Sequence, residues 1–419
     1  MKKKVLIVNG HSIHENNSTS ITLKSIISSF DKNDLLEVYY YPIKNLNGQK
    51  YLINSIQLKS ETKWFYSLIS KYFTGRLRNE INNKMLISEI ENKSSIFHKL
   101  KNFLLAFNDY LPINMKCNKP EIERVDQFRP DIIYTLGSAI FPLEVSLFFA
   151  NKYKIPIVLH HMDNWRETKY YEAYLPKCFK NKLQEILVRV EKDMKYGMTI
   201  SEEMAEYYKK FHKDYIALMN TVPKFDINSP SFTKNEFQLV YAGGLHLNRW
   251  KVLLDFERVI KKITKEDKKI TLHIFTKQID RSKYENIFDK ETTIFHDFLP
   301  HNQVYQIYEM ADILIHMESF EMNIKKFIKY SLSTKIPEYM SAGRPIICYA
   351  PKEIAVSKYI LKSKCGLSAS NIDELYDSLN LLLNDDFLRK RMSQNGIKTA
   401  SEKHSDKYKN QIIKKVFNC

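Results

Sequence analysis

The chain opens on a short apolar run, residues 4–8, that stops at Asn9-Gly10-His11 and leads to a candidate helix over 19–30. A brief run of β-rich apolar residues bounded by turn formers reads as a strand buried on both faces, the kind that parallel sheets need. Ser18, Thr19 and Ser20 are N-cap candidates for the helix. Strand, polar turn and helix make the opening of a βαβ unit. The alternation continues with strands predicted over 36–41, 131–136, 155–160 and 196–200. Ser201 is then the N-cap of a helix over 202–211, with Glu202 and Glu203 suited to the positive end of its dipole.

Asn220-Thr221-Val222-Pro223, Ser229-Pro230 and the polar residues up to Asn235 interrupt the pattern and mark an interlobe linker. The alternation restarts with strands predicted over 237–241, 270–275, 293–295, 313–316 and 346–349. The last follows a helix that ends at Ala342-Gly343, a C-cap placement. Two successive runs of strand and helix predict an α/β chain with two doubly wound, Rossmann-like parallel sheets. The lobes are expected over 1–223 and 224–395, with a C-terminal helix over 396–419 packing back on the first lobe. Residues 61–110 depart from the alternation: Trp64, Phe65, Tyr72, Phe73, Phe97 and Phe103 are interleaved with Lys63, Lys71, Arg76, Arg78, Lys99 and Lys101. That composition predicts an inserted pair or more of helices with apolar and basic faces.

Length and charge narrow the picture. At roughly 100–200 residues per domain, 419 residues make two to three domains. The net charge of +17 attracts polyanions, so nucleic acid, an anionic membrane face and phosphorylated small molecules are the open partners. Nucleic acid is set aside, because neither a known binding module nor a concentrated basic stripe is present. Cys117, Cys178, Cys348, Cys365 and Cys419 are scattered, without a Cys-x-x-Cys pair, which predicts reduced thiols, the first four buried. No secretion signal and no apolar run of about 18 residues is seen, so a cytoplasmic protein is expected, peripheral on the inner face of the plasma membrane where the charge engages lipid.

The strongest local signal is Ser331-Leu-Ser-Thr-Lys335-Ile-Pro-Glu338-Tyr-Met-Ser-Ala-Gly343-Arg-Pro345-Ile-Ile. A polar loop enters a short helix, whose free N–H groups favour an anion. Lys335 adds a cation, and Glu338, three residues on, is placed to accept ribose hydroxyls; a plain Lys–Glu surface pair is the competing reading.

This stretch resembles the donor-site signature of retaining GT-B glycosyltransferases similar to glycosyltransferase family 4, also called group 1. Val240-Tyr-Ala-Gly-Gly-Leu245 with Asn248-Arg249, His296-Asp-Phe-Leu-Pro300 and Ala311-Asp-Ile-Leu-Ile-His-Met-Glu-Ser-Phe320 follow in the family's order. The resemblance implies a GT-B fold with a cleft between the lobes, and a nucleoside-diphosphate sugar as co-substrate. It also implies that Arg249 and Lys335 bind the donor diphosphate and Glu338 the ribose. The family's first glutamate, eight residues before Glu338, is Tyr330 here. Glu318 or Glu321 fills that sugar-contacting role if 322–330 is an insertion. The loop at Gly10 and His11 is similar in place to the family's first loop, under the donor phosphates and the acceptor. The family places a His or Asp at the end of the strand over 155–160. His160, His161 and Asp163 compete for that position on spacing, and His161 and Asp163 are the catalytic candidates, with Trp165 suited to stacking on a sugar.

The function implied is transfer of a sugar, with retention, to a glycan or lipid-linked acceptor in surface polysaccharide or glycoconjugate synthesis by a hexosyltransferase-type enzyme. No Asp-x-Asp stands at a strand end, and the cation pair makes metal-independent chemistry the expectation, with no cofactor. A two-lobed nucleotide-sugar epimerase and a non-catalytic GT-B-like subunit are the alternatives.

Overall fold

The computed structural model describes residues 3–15, 18–41, 43, 53–58, 99–100, 102–111, 115–223, 236–264, 268–300 and 303–417. The insertion expected over 61–110 therefore lies outside the described residues except at its end, where 102–110 are helical. Most of the linker, Asn16 and Asn17, and Cys419 also lie outside them. The chain divides into two compact units, Met1–Leu218 with Gln411–Cys419, and Met219–Asn410.

The first unit holds β1 (Val5–Asn9), β2 (Leu35–Tyr39), β3 (Asn54–Gln57), β4 (Ile132–Leu136), β5 (Ile157–His161), β6 (Met194–Thr199) and β7 (Tyr215–Ala217). They pair in parallel in the order β3-β2-β1-β4-β5-β6-β7. The second holds β8 (Glu236–Ala242), β9 (Lys269–Thr276), β10 (Thr293–Asp297), β11 (Ile313–Met317), β12 (Ile346–Tyr349) and β13 (Gly366–Ala369), again parallel, in the order β10-β9-β8-β11-β12-β13. Each order reverses once, between β1 and β4 and between β8 and β11. In doubly wound sheets, ligands bind beyond the carboxyl ends of the strands at that reversal.

The helices used below are α1 (Ser18–Ile27), α2 (Ile140–Tyr153), α3 (Trp165–Thr168), α4 (Pro176–Asp193), α5 (Glu202–Tyr208), α6 (Arg249–Thr264), α7 (Met322–Ile328), α8 (Lys335–Ser341), α9 (Asp386–Lys403) and α10 (Asp406–Phe417). β1, β4, β5 and β11 are buried along their whole length, as their mainly apolar runs require. In the second unit the strand alternation divides two cores. Leu239 and Tyr241 meet Leu253, Phe256 and Ile260 of α6 on one face, while Val240 and Ala242 meet Ile336, Tyr339 and Met340 of α8 on the other.

Local signals set the element ends. Ser201 Oγ accepts from Met204 N at 3.0 Å, capping α5. Gly343 has φ +62° and its N–H reaches Met340 O at 3.0 Å, closing α8 in the left-handed turn that glycine favours. The expected single helix over 396–419 is instead the end of α9 followed by α10, broken near His404, whose ring is held by Tyr359 Oη at 2.7 Å and Asn220 O at 2.9 Å. Ile413, Val416 and Phe417 of α10 are buried in the core of the first unit with Val5, Ile7 and Tyr134. Leu218 joins that same core, and its neighbour Met219 joins a core of the second unit. Cys348 and Cys365 are buried free thiols, but Cys178 is exposed, contrary to the expectation, because the first turn of α4 turns it to water.

Candidate active site

In the second unit, β8 hands over to Gly243-Gly244-Leu245-His246-Leu247-Asn248, which runs into α6 at Arg249. Leu247 and Asn248 both have φ of 57°, a left-handed conformation that bulky side chains resist. The loop is pinned: Tyr241 Oη donates to Gly244 O at 2.8 Å and Leu245 N to Asp280 Oδ2 at 2.9 Å. Asn248 Nδ2 donates to Glu321 Oε1 at 2.7 Å. The turn thereby delivers Arg249 to the reversal between β8 and β11.

Arg249 grips Glu318, the residue after β11. Its Nη2 lies 2.8 Å from each carboxylate oxygen and its Nε 3.1 Å from Oε2. Such fork-on-carboxylate geometry is the strong form of the ion pair. Burial pushes the Glu318 carboxyl up, but His316, with Nε2 3.5 Å away, and Arg249 together outweigh it and hold the group below its ordinary value. Glu321, the other candidate, is more exposed and sits at the start of α7, shared by Asn248 and Lys251.

Lys335 opens α8 from the opposite side. A β-carbon on Gly243 would come 2.1 Å from its Nζ, so the ammonium occupies the space that this glycine leaves open. Withdrawal from water, and then the charge of Arg249, push the Lys335 pKa down to about 8, against the pull of Glu338 and Glu318. No carboxylate forms an ion pair with it among the described residues. Glu338, one turn on, accepts a hydrogen bond from buried Tyr308 Oη. Arg249, Lys335, Glu318 and Glu338 are therefore brought together in the second unit.

In the first unit, the loop after β1 is fixed by a carboxylate the sequence reading missed. Glu37, buried in β2, accepts from Ser12 Oγ at 2.8 Å, Ile13 N at 2.7 Å and Ser55 Oγ at 2.9 Å. Burial raises its pKa despite these bonds. The one clue was an acidic residue inside the apolar run Leu35-Leu-Glu-Val-Tyr39. Gly10 O accepts from Tyr40 N at 3.1 Å and Tyr41 N at 2.8 Å, and a β-carbon at Gly10 would lie 3.3 Å from the Tyr41 ring. His11 is left outside, stacked on Tyr41 at 4.7 Å and 3.3 Å from Glu15 Oε1.

At the end of β5 the two histidines do face opposite ways, yet both are wholly buried. His160 Nδ1 meets Tyr134 Oη at 2.6 Å, and burial lowers its pKa to about 3. His161 stacks on Tyr208 at 4.1 Å, with Nε2 3.2 Å from Tyr215 Oη. Burial, then Arg166 and His160, keep it neutral by pushing its pKa well down. Gly137 makes this possible, since a β-carbon there would come 2.3 Å from the His161 ring. Asp163 is half-buried, its Oδ1 accepting from Asn164 N at 2.8 Å. Trp165 opens α3 half-buried against the core, its ring 6.4 Å from that of His161. Buried polar atoms without a hydrogen-bond partner among the described residues gather at this end: both amide atoms of Asn9, His161 Nδ1 and Asn164 Oδ1. Such atoms are costly unless water or a ligand meets them. Among the described residues no group of three His, Cys, Asp or Glu is placed to hold a metal ion, and no helix is long and apolar enough to cross a membrane.

Several solved structures share this architecture along the full chain. HepE from Anabaena, in complex with UDP and glucose, matches with a TM-score of 0.60 at 13% identity over 99% of each chain. Sucrose-phosphate synthase from Thermosynechococcus elongatus matches with a TM-score of 0.61 at 8% identity, over 99% of this chain and 98% of that one. A glycosyltransferase from Rickettsia africae matches with a TM-score of 0.60 at 11% identity, over 100% and 99%. At such identities the likeness is one of fold, and the fold is GT-B. No curated protein sequence matches the chain. Residues 236–385 match the family model described as glycosyl transferases group 1. With the paired parallel sheets, this defines the class as a glycosyltransferase. More narrowly, the second unit carries a group 1 glycosyltransferase domain.

Proposed function

We propose that the protein transfers a hexose, with retention of anomeric configuration, from a nucleoside-diphosphate sugar to a glycan or lipid-linked acceptor of surface polysaccharide or glycoconjugate synthesis. The observation that carries this reading is the convergence of Arg249 and Lys335 on the open backbone at Gly243, with Glu338 one turn away. Two cations at a strand reversal fit a diphosphate, and Glu338 fits a ribose. Uridine is the base to try first, since structures of HepE hold UDP and UDP-glucose.

In this reading the donor diphosphate takes over the Arg249 fork that Glu318 holds in the free protein. Released from it, Glu318 turns to the sugar hydroxyls. As the glycosidic bond to the leaving oxygen breaks, Arg249 and Lys335 stabilise the charge that develops on the diphosphate, usually the largest catalytic contribution. That pair supplies the positive charge, so a divalent metal is not required. The acceptor attacks on the face of the leaving group, and the departing phosphate takes its proton. In the first unit, the resemblance assigns Gly10 to the donor phosphates, His11 and Trp165 to sugar or acceptor, and Asp163 and His161 to the transferred sugar. His161, wholly buried against Tyr208 and kept neutral, is not placed to act as a base, and its part is to support the end of β5.

Thermal unfolding with UDP-, GDP-, ADP- and CMP-sugars, with and without chelator, tests the reading. A chelator-resistant upward shift with one nucleotide family, lost in Lys335→Ala and Glu338→Ala, is expected. Transfer that survives neutral replacement of both Arg249 and Lys335 would overturn it.

A further inference from the structure

Beyond β5 and α3, at the carboxyl end of the first sheet, the chain forms a loop from Lys169 to the start of α4 that contradicts its own composition. Tyr170 and Leu175 hold φ of 62° and 53°. Neither is a residue that adopts left-handed backbone cheaply, and such outliers persist where surrounding structure imposes them. The base of the loop is imposed: Tyr170 Oη donates to buried Asp109 at 3.1 Å and accepts from Ile140 N at 3.2 Å. The tip, by contrast, holds large apolar groups in water. Leu175 is 69% exposed, Tyr171 56% and Tyr174 40%. The neighbouring helix over 102–110 continues this surface. Asn102 reaches Glu172, Phe103 and Tyr110 pack on Phe179 of α4, and Leu100, Phe107 and Tyr110 remain exposed.

The surrounding charge is mostly positive. Lys99, Lys169 and Lys177 form no ion pair among the described residues, Lys180 pairs with Glu167 at 2.9 Å, and Glu172 is the exposed acid of the loop. Tyrosine and leucine at a strained tip, ringed by lysines, match the layered chemistry of a bilayer interface. Aromatic rings settle at headgroup depth, aliphatic groups below them, and lysines snorkel to anionic phosphates. We propose that the loop over 169–177, with the helix over 102–110, docks the first unit on an anionic lipid bilayer. This deepens the proposed lipid-linked acceptor, because the loop follows directly on Asp163 and Trp165 and would set that end of the sheet against the lipid surface.

The test is sedimentation of the full chain with vesicles of phosphatidylcholine and phosphatidylglycerol in equal parts, against phosphatidylcholine alone. Binding to the anionic vesicles, weakened by salt, is expected. Lys169→Ala with Lys177→Ala should weaken it about twenty-five-fold, at about fivefold per lysine. Leu175→Gly relieves the backbone strain, so it should keep or raise the melting temperature while weakening binding several-fold; adding Tyr171→Ser and Tyr174→Ser should weaken it further. Wild-type binding that ignores lipid charge, or variants that bind like wild type, would overturn the proposal. So would loss of self-association in these variants without change in vesicle binding, which would make a second copy the occupant. Nucleotide-induced thermal shifts report on the second unit separately, so their absence speaks against the proposed function and leaves the docking result standing.

Discussion

Lys335 is the residue whose chemistry is most open to measurement. Its pKa of about 8 lies below the ordinary lysine value because the free site withholds water and adds Arg249. A bound diphosphate favours the ammonium, so binding raises this pKa and takes up a proton wherever the free side chain is neutral. Nucleoside-diphosphate affinity is therefore expected to be flat below about pH 7 and to fall, by up to about tenfold per unit, as pH rises through 8. Lys335→Arg, charged throughout, should flatten the profile in titration calorimetry. Gly243→Ala examines the same geometry by steric means. The new methyl would meet the far end of the Lys335 side chain at 2.1 Å and Tyr241 Oη at 2.8 Å, atoms that can move without rebuilding the backbone. The variant should thus melt within a few degrees of the parent and yet lose about tenfold or more in donor affinity. Unchanged affinity would mean that the ammonium is not where the diphosphate sits.

At the scale of elements, the buried strands were legible because continuous apolar runs between turn formers have few other uses. The edge strands β3, β7 and β13 were not, since Asn54-Ser-Ile-Gln57 and Gly366-Leu-Ser-Ala369 carry few apolar residues and Tyr215-Ile-Ala217 is only one short run. Alternation told that His160 and His161 point oppositely, but not that helices would bury both. That depends on Tyr208, Tyr215 and Tyr134, brought from distant positions. The motif likewise located Lys335 and Glu338, while the grip of Arg249 on Glu318 spans 69 residues and has no local signature. The same holds for Arg166 of α3 and Glu191 of α4, a buried pair that also engages Gln184 and Tyr215. Arg166→Leu leaves Glu191 buried without its cation and should cost about 3–5 kcal/mol in urea unfolding. Replacing both by apolar residues should cost much less, and equal losses would show that the arginine acts through packing on Phe211 instead.

On the scale of the whole molecule, the first unit is completed by a distant part of the sequence, residues 411–419, while the second is one continuous stretch, 219–410. Phe417 of α10 lies 5.1 Å from the Phe30 ring and 6.0 Å from that of Tyr134, and it is 1% exposed. Phe417→Ala should cost about 3–5 kcal/mol, as large-to-small changes in aromatic cores do. The loss should fall on the first unit, so limited proteolysis is expected to cut within residues 1–218 and spare the group 1 domain. Equal loss of both units would mean that they unfold together.

The return of α10 to the first core also orders events at the ribosome. Residues 1–218 leave the exit tunnel first, but the side chains at 413, 416 and 417 that fill their core are made only after the whole second unit. The second unit has all its strands and helices α6–α9 available earlier. The unit translated first thus completes its core after the second unit has been made, and until then it waits incompletely packed for residues 411–417.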